Sequence, residues 1–293
     1  MYVISGATGN TGKVIASTLL EAGKQVRIIA RNVEKAKELS DKGAVLFQGA
    51  TDDVELLKKA FEGATTVYAM LPMNMQAENY TAFQMEHADA IAEAMKACNI
   101  KNVVTLSSQG AHLASDSGII LGLHKMEQLF NKIEGLNTLH LRPCYFMENT
   151  LGMVGMIKES GIMGSPIRSD LSFPMIATKD IADYAIKRLL ALDFDGNNYQ
   201  DLLGARNVTY QEVAKVYGAA IGKADLNYLE FPYADFKGAF MGMGASESVA
   251  DKMNEFLTRL NAGEIFIVDR TEANTTPTSI EEFAHTFNYV FNM

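Results

Sequence analysis

The chain offers little from which a metal, redox or nucleic-acid centre could be built. Only two cysteines occur among 293 residues, Cys98 and Cys144, and their spacing is of neither the metal-binding nor the redox type. Both are therefore expected to be buried thiols in a reducing compartment. The histidines at 87, 112, 124, 140 and 285 show neither HxxxH nor HExxH spacing, so no metal centre is expected. The formal net charge of −9 comes without any cluster of Lys and Arg, which speaks against direct nucleic-acid binding, because phosphate neutralisation needs grouped cations. No apolar run approaches the roughly 20 residues that span a bilayer, and no basic, signal-like segment precedes the first apolar stretch. A cytoplasmic chain that does not enter membranes is expected.

What is present begins at the second residue. The run Tyr2-Val3-Ile4-Ser5 leads directly into Gly6-Ala7-Thr8-Gly9-Asn10-Thr11-Gly12, with three glycines spaced by three. In a dinucleotide-binding unit the first glycine takes the turn off a strand, the second lets backbone approach a pyrophosphate, and the third lets the next helix pack close. The context fits: Val14, Ile15, Thr18 and Leu19 fall at helical spacing between 13 and 21, Gly23 ends that helix, and 26–30 reads as a second strand. Gly6, Thr8, Gly9, Asn10, Thr11 and Gly12 are thus candidate cofactor-binding residues.

Apolar runs recur at 44–47, 66–70, 103–106 and 138–141, with helical segments at 33–42, 53–61, 80–98 and 123–134. Alternation of this kind predicts an α/β chain with a doubly wound parallel sheet, a Rossmann domain over 1–150. The runs are continuous rather than alternating, as suits strands covered on both faces. From 151 to 293 glycine and methionine punctuate a smaller, irregular substrate-binding region, and one segment near 198–204 is expected to return to the main sheet. The methionines at 147, 153, 156, 163, 175, 241 and 243 suit either core filling or an adaptable pocket. The glycine- and methionine-rich run 236–244 reads as a mobile lid or as a plain loop.

After the second strand, an NAD site places a carboxylate for the ribose hydroxyls, whereas an NADP site attracts the extra phosphate with Arg. Here the residues are Ala30-Arg31-Asn32, with no carboxylate before Glu34, so Arg31 is the expected 2′-phosphate partner and NADP(H) the expected cofactor. A solvated loop arginine is the competing reading. At the far end of the cofactor, the C-terminal ends of the strands nominate Leu71 and Pro72, Ser107-Ser108-Gln109, the pair His124-Lys125, and Tyr145. Ser107 and Ser108 also suit capping, and His124 equally suits an ordinary hydrogen-bonding role.

The opening glycine motif with Arg31-Asn32, the stretch Leu141-Arg142-Pro143-Cys144-Tyr145-Phe146-Met147-Glu148-Asn149, Ala177-Thr178-Lys179-Asp180-Ile181-Ala182, and Thr276-Pro277-Thr278-Ser279-Ile280-Glu281-Glu282-Phe283 together resemble the NmrA-like branch of the atypical short-chain dehydrogenase/reductases. The resemblance runs over nearly the whole length. It implies either an NADPH-dependent reductase of quinones or dyes, acting on a small planar apolar substrate, or a non-catalytic NADP(H)-sensing regulator that binds a protein partner; a homo-oligomer is compatible with both. Lys125 matches the superfamily lysine in place and is expected on the nicotinamide ribose, unless it is simply a surface lysine of its helix. The Tyr-x-x-x-Lys pattern is broken, since Leu121 stands four residues before Lys125. Ordinary tyrosine-driven proton transfer is therefore not expected, and Lys125, His124 and Tyr145 are the candidate catalytic residues. Ala50 stands where relatives often carry Asp near the adenine, shifting expected contacts to Thr51 or Asp52.

Overall fold

The structure, a computed structural model, describes residues 1–293. The first half runs β1 (Tyr2–Ser5), α1 (Asn10–Glu21), β2 (Val26–Ala30), α2 (Val33–Asp41), β3 (Val45–Gln48), α3 (Val54–Phe61), β4 (Thr66–Met70), α4 (Tyr80–Ala97), β5 (Asn102–Leu106), α5 (Leu121–Phe130) and β6 (Asn137–Pro143). The remainder runs β7 (Tyr145–Phe146), α6 (Val154–Ser160), β8 (Ile162–Ser165), β9 (Phe173–Ile176), α7 (Thr178–Ala191), β10 (Asn197–Leu202), β11 (Asn207–Val208), α8 (Tyr210–Ala220), β12 (Asn227–Glu230), α9 (Tyr233–Gly242), α10 (Glu247–Asn261) and α11 (Ile280–Phe291).

Seven strands form one parallel sheet in the order β10-β6-β5-β4-β1-β2-β3. Both faces are covered, which explains the continuous apolar runs. Successive residues of a strand point to opposite faces, so Ile4 and Ile28 meet Ile15 and Leu19 of α1, while Val3 and Ile29 lie with Leu57 of α3 and Ile91 of α4. Each such fully buried aliphatic side chain contributes roughly 1.5–3 kcal/mol. The order reverses between β1 and β4, the switch point where open α/β sheets place their ligands. The doubly wound Rossmann architecture read from the sequence is the one found.

Two later elements belong to this layer. β10 pairs with β6 from Asn197 opposite Thr138 to Leu202 opposite Pro143, so the segment expected to return does so at the sheet edge. α7 packs on α1, and its Ile181, Ala185 and Leu189 share the core of α1 and α2. The rest builds a second core around Phe173, Tyr210, Tyr217, Tyr228 and Phe287, framed by the small sheets β11-β9-β7 and β12-β8. No helix is long and apolar enough to cross a membrane.

Two carboxylates, half-buried Glu148 and buried Asp180, tie the two regions together. Glu148 accepts from the backbone N–H of Thr178 at 2.9 Å and from its hydroxyl at 2.6 Å, so a side chain from the end of the β6–β7 stretch caps α7. Asp180 in the first turn of α7 accepts from the N–H of Thr278 at 2.9 Å and its hydroxyl at 2.6 Å. Ser279 and Glu282 then form a reciprocal capping box at the start of α11. The three late motifs of the sequence are thus one continuous chain of caps.

His140 on β6 is 1% exposed; its Nε2 faces the Asn131 amide oxygen at 2.9 Å and its Nδ1 faces the Thr105 hydroxyl at 2.7 Å. The Asn131 oxygen can only accept, so Nε2 carries the proton and Nδ1 accepts from Thr105. Burial pushes the imidazole down to about 4 from the ordinary 6.5. The unfolded chain therefore binds this proton first, and stability falls as pH drops from about 6.5 towards 4. Between pH 7 and pH 5 this residue accounts for a loss of about 2 kcal/mol. Urea unfolding of the protein and of His140→Gln at the two pH values should show a loss smaller by that amount in the variant; equal losses would rule the assignment out.

Candidate functional site

The site begins with backbone. Gly6 has φ +63°, the left-handed region that favours glycine, and its carbonyl accepts from the Gly9 N–H at 2.9 Å to close the turn off β1. α1 starts at Asn10, with Gly12 already inside it, three residues earlier than its apolar spacing indicated. A Cβ on Gly12 would run into the carbonyl oxygen and carbon of Gly6, so only glycine lets the helix pass the turn this closely. No side chain caps the helix and its first turn holds no acidic residue. The amides of Asn10, Thr11 and Gly12 find no acceptor in the chain; the first satisfied one is Lys13, bonded to Gly9 at 3.0 Å. An open N-terminus of this kind, at the switch point, fits an anion with two or more oxygens. Thr8 is half-buried beside it and Asn10 is exposed.

Arg31 follows the last residue of β2, is exposed, and makes no hydrogen bond or ion pair. Its neighbour Asn32 is occupied, accepting from the Lys35 N–H at 2.9 Å as the cap of α2. A free guanidinium one strand from the open helix end suits a second, phosphate-bearing part of the same ligand. Across the crevice the loop after β3 is pinned to α4, since the Thr51 hydroxyl meets His87 Nδ1 at 2.9 Å and Phe83 packs edge-on against the His87 ring. Burial lowers the His87 pKa and keeps the ring neutral, with Asp52 acting in the opposite sense.

At the other end of the crevice the nominated residues separate into distinct groups. Leu71, 8% exposed, and half-buried Pro72 continue β4 beside the turn. Ser107 is turned inward: 3% exposed, its hydroxyl donates at 2.5 Å to Glu127, which leaves no side-chain proton for a ligand. Ser108 bonds the Gln109 carbonyl, and Gln109 is buried against Asp201 at 3.3 Å. Glu127 also holds Arg142 in a two-pronged ion pair, with Nε at 3.0 Å, and the guanidinium lies 4.1 Å from the Tyr199 ring. This network of Ser107, Glu127 and Arg142 fixes the pitch of α5, the helix that carries His124 and Lys125.

His124 donates its Nδ1 proton to the Ala111 carbonyl at 2.8 Å, and Nε2 has no partner in the chain. Lys125 is exposed with no partner in the chain, free to reach a ligand hydroxyl. Tyr145, immediately after β6, is half-buried in an aromatic group, edge-on to Phe173 and Tyr210. The Tyr210 hydroxyl donates to the Tyr145 oxygen at 3.1 Å, which leaves the Tyr145 proton available. Burial raises the Tyr145 pKa, so the phenol stays protonated and serves as a hydrogen-bond donor rather than a base. No three His, Cys, Asp or Glu side chains converge in a way that could hold a metal.

The run 236–244 lies largely in a helix rather than a loop. α9 has no buried residue but stacks Phe236 on Phe240 at 5.4 Å and is held to α10 by Lys237, paired with Glu247 at 3.0 Å and Asp251 at 2.5 Å. The start of α10 is sewn to the loop after β4: the Ser246 N–H and hydroxyl donate to the Met75 and Ala77 carbonyls, and the Tyr80 N–H donates to Ser248. The α9–α10 segment therefore bridges to the loop that follows Leu71 and Pro72.

Known proteins resemble this chain in sequence or in fold. An NAD(P)H azoreductase of Xenophilus azovorans is 28% identical over 257 residues, 87% of this chain and 85% of that one. The solved structure of an NADPH-dependent quinone oxidoreductase from Escherichia coli, complexed with NADPH, superposes with a TM-score of 0.82 at 22% identity, covering 98% of this chain and 100% of that one. The triphenylmethane reductase of Citrobacter sp. complexed with NADP(H) gives 0.80 at 20% identity, covering 98% and 100%. The glycine turn, the free arginine and the chain of caps from Glu148 to Glu282 all lie within residues 2–284, the span matched by the NmrA-like family, and the chain belongs to that family.

Proposed function

We propose that the chain is an NADPH-dependent reductase that passes a hydride to quinones, azo compounds or similar planar electrophiles without a catalytic tyrosine of the Tyr-x-x-x-Lys type. The observation that carries this is the uncapped N-terminus of α1 at the switch point, with the unpaired Arg31 one strand away. The kinship with an azoreductase supports the choice of acceptor. When bound, NADPH would supply the hydride.

The residues of the chain have separate tasks. The amides of Asn10, Thr11 and Gly12 hold the pyrophosphate, and Arg31 takes the 2′-phosphate as a two-pronged donor. Lys125 reaches the ribose hydroxyls beside the nicotinamide, and Leu71 and Pro72 present an apolar edge to the ring. A flat acceptor rests against the half-buried Tyr145 ring. Its developing negative charge receives the Tyr145 hydrogen bond, which the Tyr210 hydroxyl strengthens from behind. A conjugated acceptor can take its proton from water after hydride arrives, so a high-pKa phenol that donates only a hydrogen bond suffices. A second reading is favoured by Leu121 alone: a chain that binds NADP(H) and signals its redox state to a protein partner. NADPH bound tightly but consumed with no acceptor would select it.

The direct test is NADPH consumption across quinones, azo compounds and triphenylmethane dyes; turnover of none refutes the reductase. Arg31→Ala should weaken NADPH about tenfold in a binding titration and leave NADH unchanged. An unaltered preference would remove Arg31 from the site. Tyr145→Phe should lower kcat about 10- to 100-fold with KM for NADPH unchanged, and full activity in that variant would eliminate Tyr145 as the donor.

A further inference from the structure

Tyr68 lies on β4 opposite Ile4 of β1, under the glycine turn, and is wholly buried. Its hydroxyl donates to Thr11 Oγ1 at 3.2 Å, the one side-chain hydrogen bond that either residue makes. The direction is set by burial. Were Thr11 the donor, the Tyr68 proton would be stranded in the core among Ile4, Ile15 and Leu19, without an acceptor. With Tyr68 donating, the proton left over belongs to Thr11. Thr11 is 4% exposed and stands in the first turn of α1.

A threonine inside a helix ordinarily returns its hydroxyl proton to a carbonyl three or four residues earlier. Here neither Thr8 nor Ala7 receives it, so Thr11, whose own amide is one of the three without an acceptor, also keeps a buried hydroxyl proton without one. Such a proton costs stability until an acceptor arrives.

We propose that Tyr68 is a positioning residue for the cofactor pyrophosphate, turning the Thr11 hydroxyl into a fourth donor beside the three free amides. The inference rests on the dinucleotide reading above. Thr11 touches the phosphate oxygen; Tyr68 acts through Thr11 and touches no ligand. Burial raises the pKa of the phenol and keeps it protonated, so the relay keeps one direction across the working pH range. Each hydrogen bond of the relay polarises the next, and the last ends on a charged oxygen.

The test pairs two conservative variants with two ligands. Thr11→Val keeps the shape of the side chain and removes the donor; Tyr68→Phe removes only the hydroxyl that orients it. Calorimetric titration should show NADPH weakened about tenfold by Thr11→Val and about threefold or more by Tyr68→Phe, with the double variant no weaker than Thr11→Val. Binding of 2′-AMP, which carries the adenosine and 2′-phosphate but no pyrophosphate, should be unchanged in all three. Wild-type NADPH affinity in Tyr68→Phe, additive losses in the double variant, or an equal loss of 2′-AMP would each overturn the proposal. A wild-type protein that binds no NADPH overturns the dinucleotide reading as well, which separates the two failures.

Discussion

The structure hangs on the passage of α1 across the Gly6 carbonyl at a distance that only a glycine at position 12 permits. That closeness sets the axis of α1 against β1, and with it the seating of Ile15 and Leu19 on Ile4 and Ile28. α7 packs on α1 in turn, so the same contact positions an element that arrives more than 150 residues later. A side chain at residue 12 would have to push the helix out, opening the core and misdirecting the three amides at once. Packing and the aim of the open helix end are here one constraint, since the helix can point its N-terminus at the crevice only by lying this close to the turn.

From α7 the constraint passes outward through carboxylates. Glu148 caps α7 from one side, and Asp180 within its first turn anchors the approach to α11 from the other. Burial raises the Glu148 pKa while the Thr178 hydrogen bonds lower it, the pattern of a carboxylate that gives up water for designated donors. Removing one such partner leaves a desolvated group behind, which is why local caps can govern the relation between two regions. The motifs shared with the family after residue 140 therefore read first as joinery. Within that stretch Tyr145 keeps a hydroxyl proton without an acceptor in the chain.

Much of this was legible in the sequence because a parallel sheet covered on both faces leaves a plain signature. The continuous runs at 26–30 and 66–70 coincide with β2 and β4, and α2, α3 and α4 fall within a residue of their expected limits. The open helix end could be read because glycine spacing is local. Other features depend on partners that sequence spacing does not reveal. Ser107 looked like a ligand residue, yet Glu127 lies beneath it and Arg142 holds that carboxylate in place. The run 236–244 reads as a mobile lid or a plain loop in sequence, because glycines disfavour a helix by about 1 kcal/mol each. The Phe236–Phe240 stack, at helical i,i+4 spacing, and the Lys237 ion pairs to α10 work against that cost, and the ion pairs are not visible as a periodic pattern.

The two ends of the crevice solve a shared problem in the same way. A hydroxyl out of bulk water is held ready to donate to a ligand when another donor occupies its oxygen and settles which atom keeps the proton. Tyr68 does this for Thr11, and Tyr210 does it for Tyr145. In both pairs the outer hydroxyl is left with a proton that no side chain accepts. In both, the inner phenol is buried deeply enough to stay protonated. On the proposed reductase reading, a site of this construction would offer directed hydrogen bonds at its phosphate end and at its acceptor end, and proton transfer at neither. On the same reading this agrees with Leu121 four residues before Lys125, and it would narrow the chemistry to acceptors whose reduced form takes its proton from water.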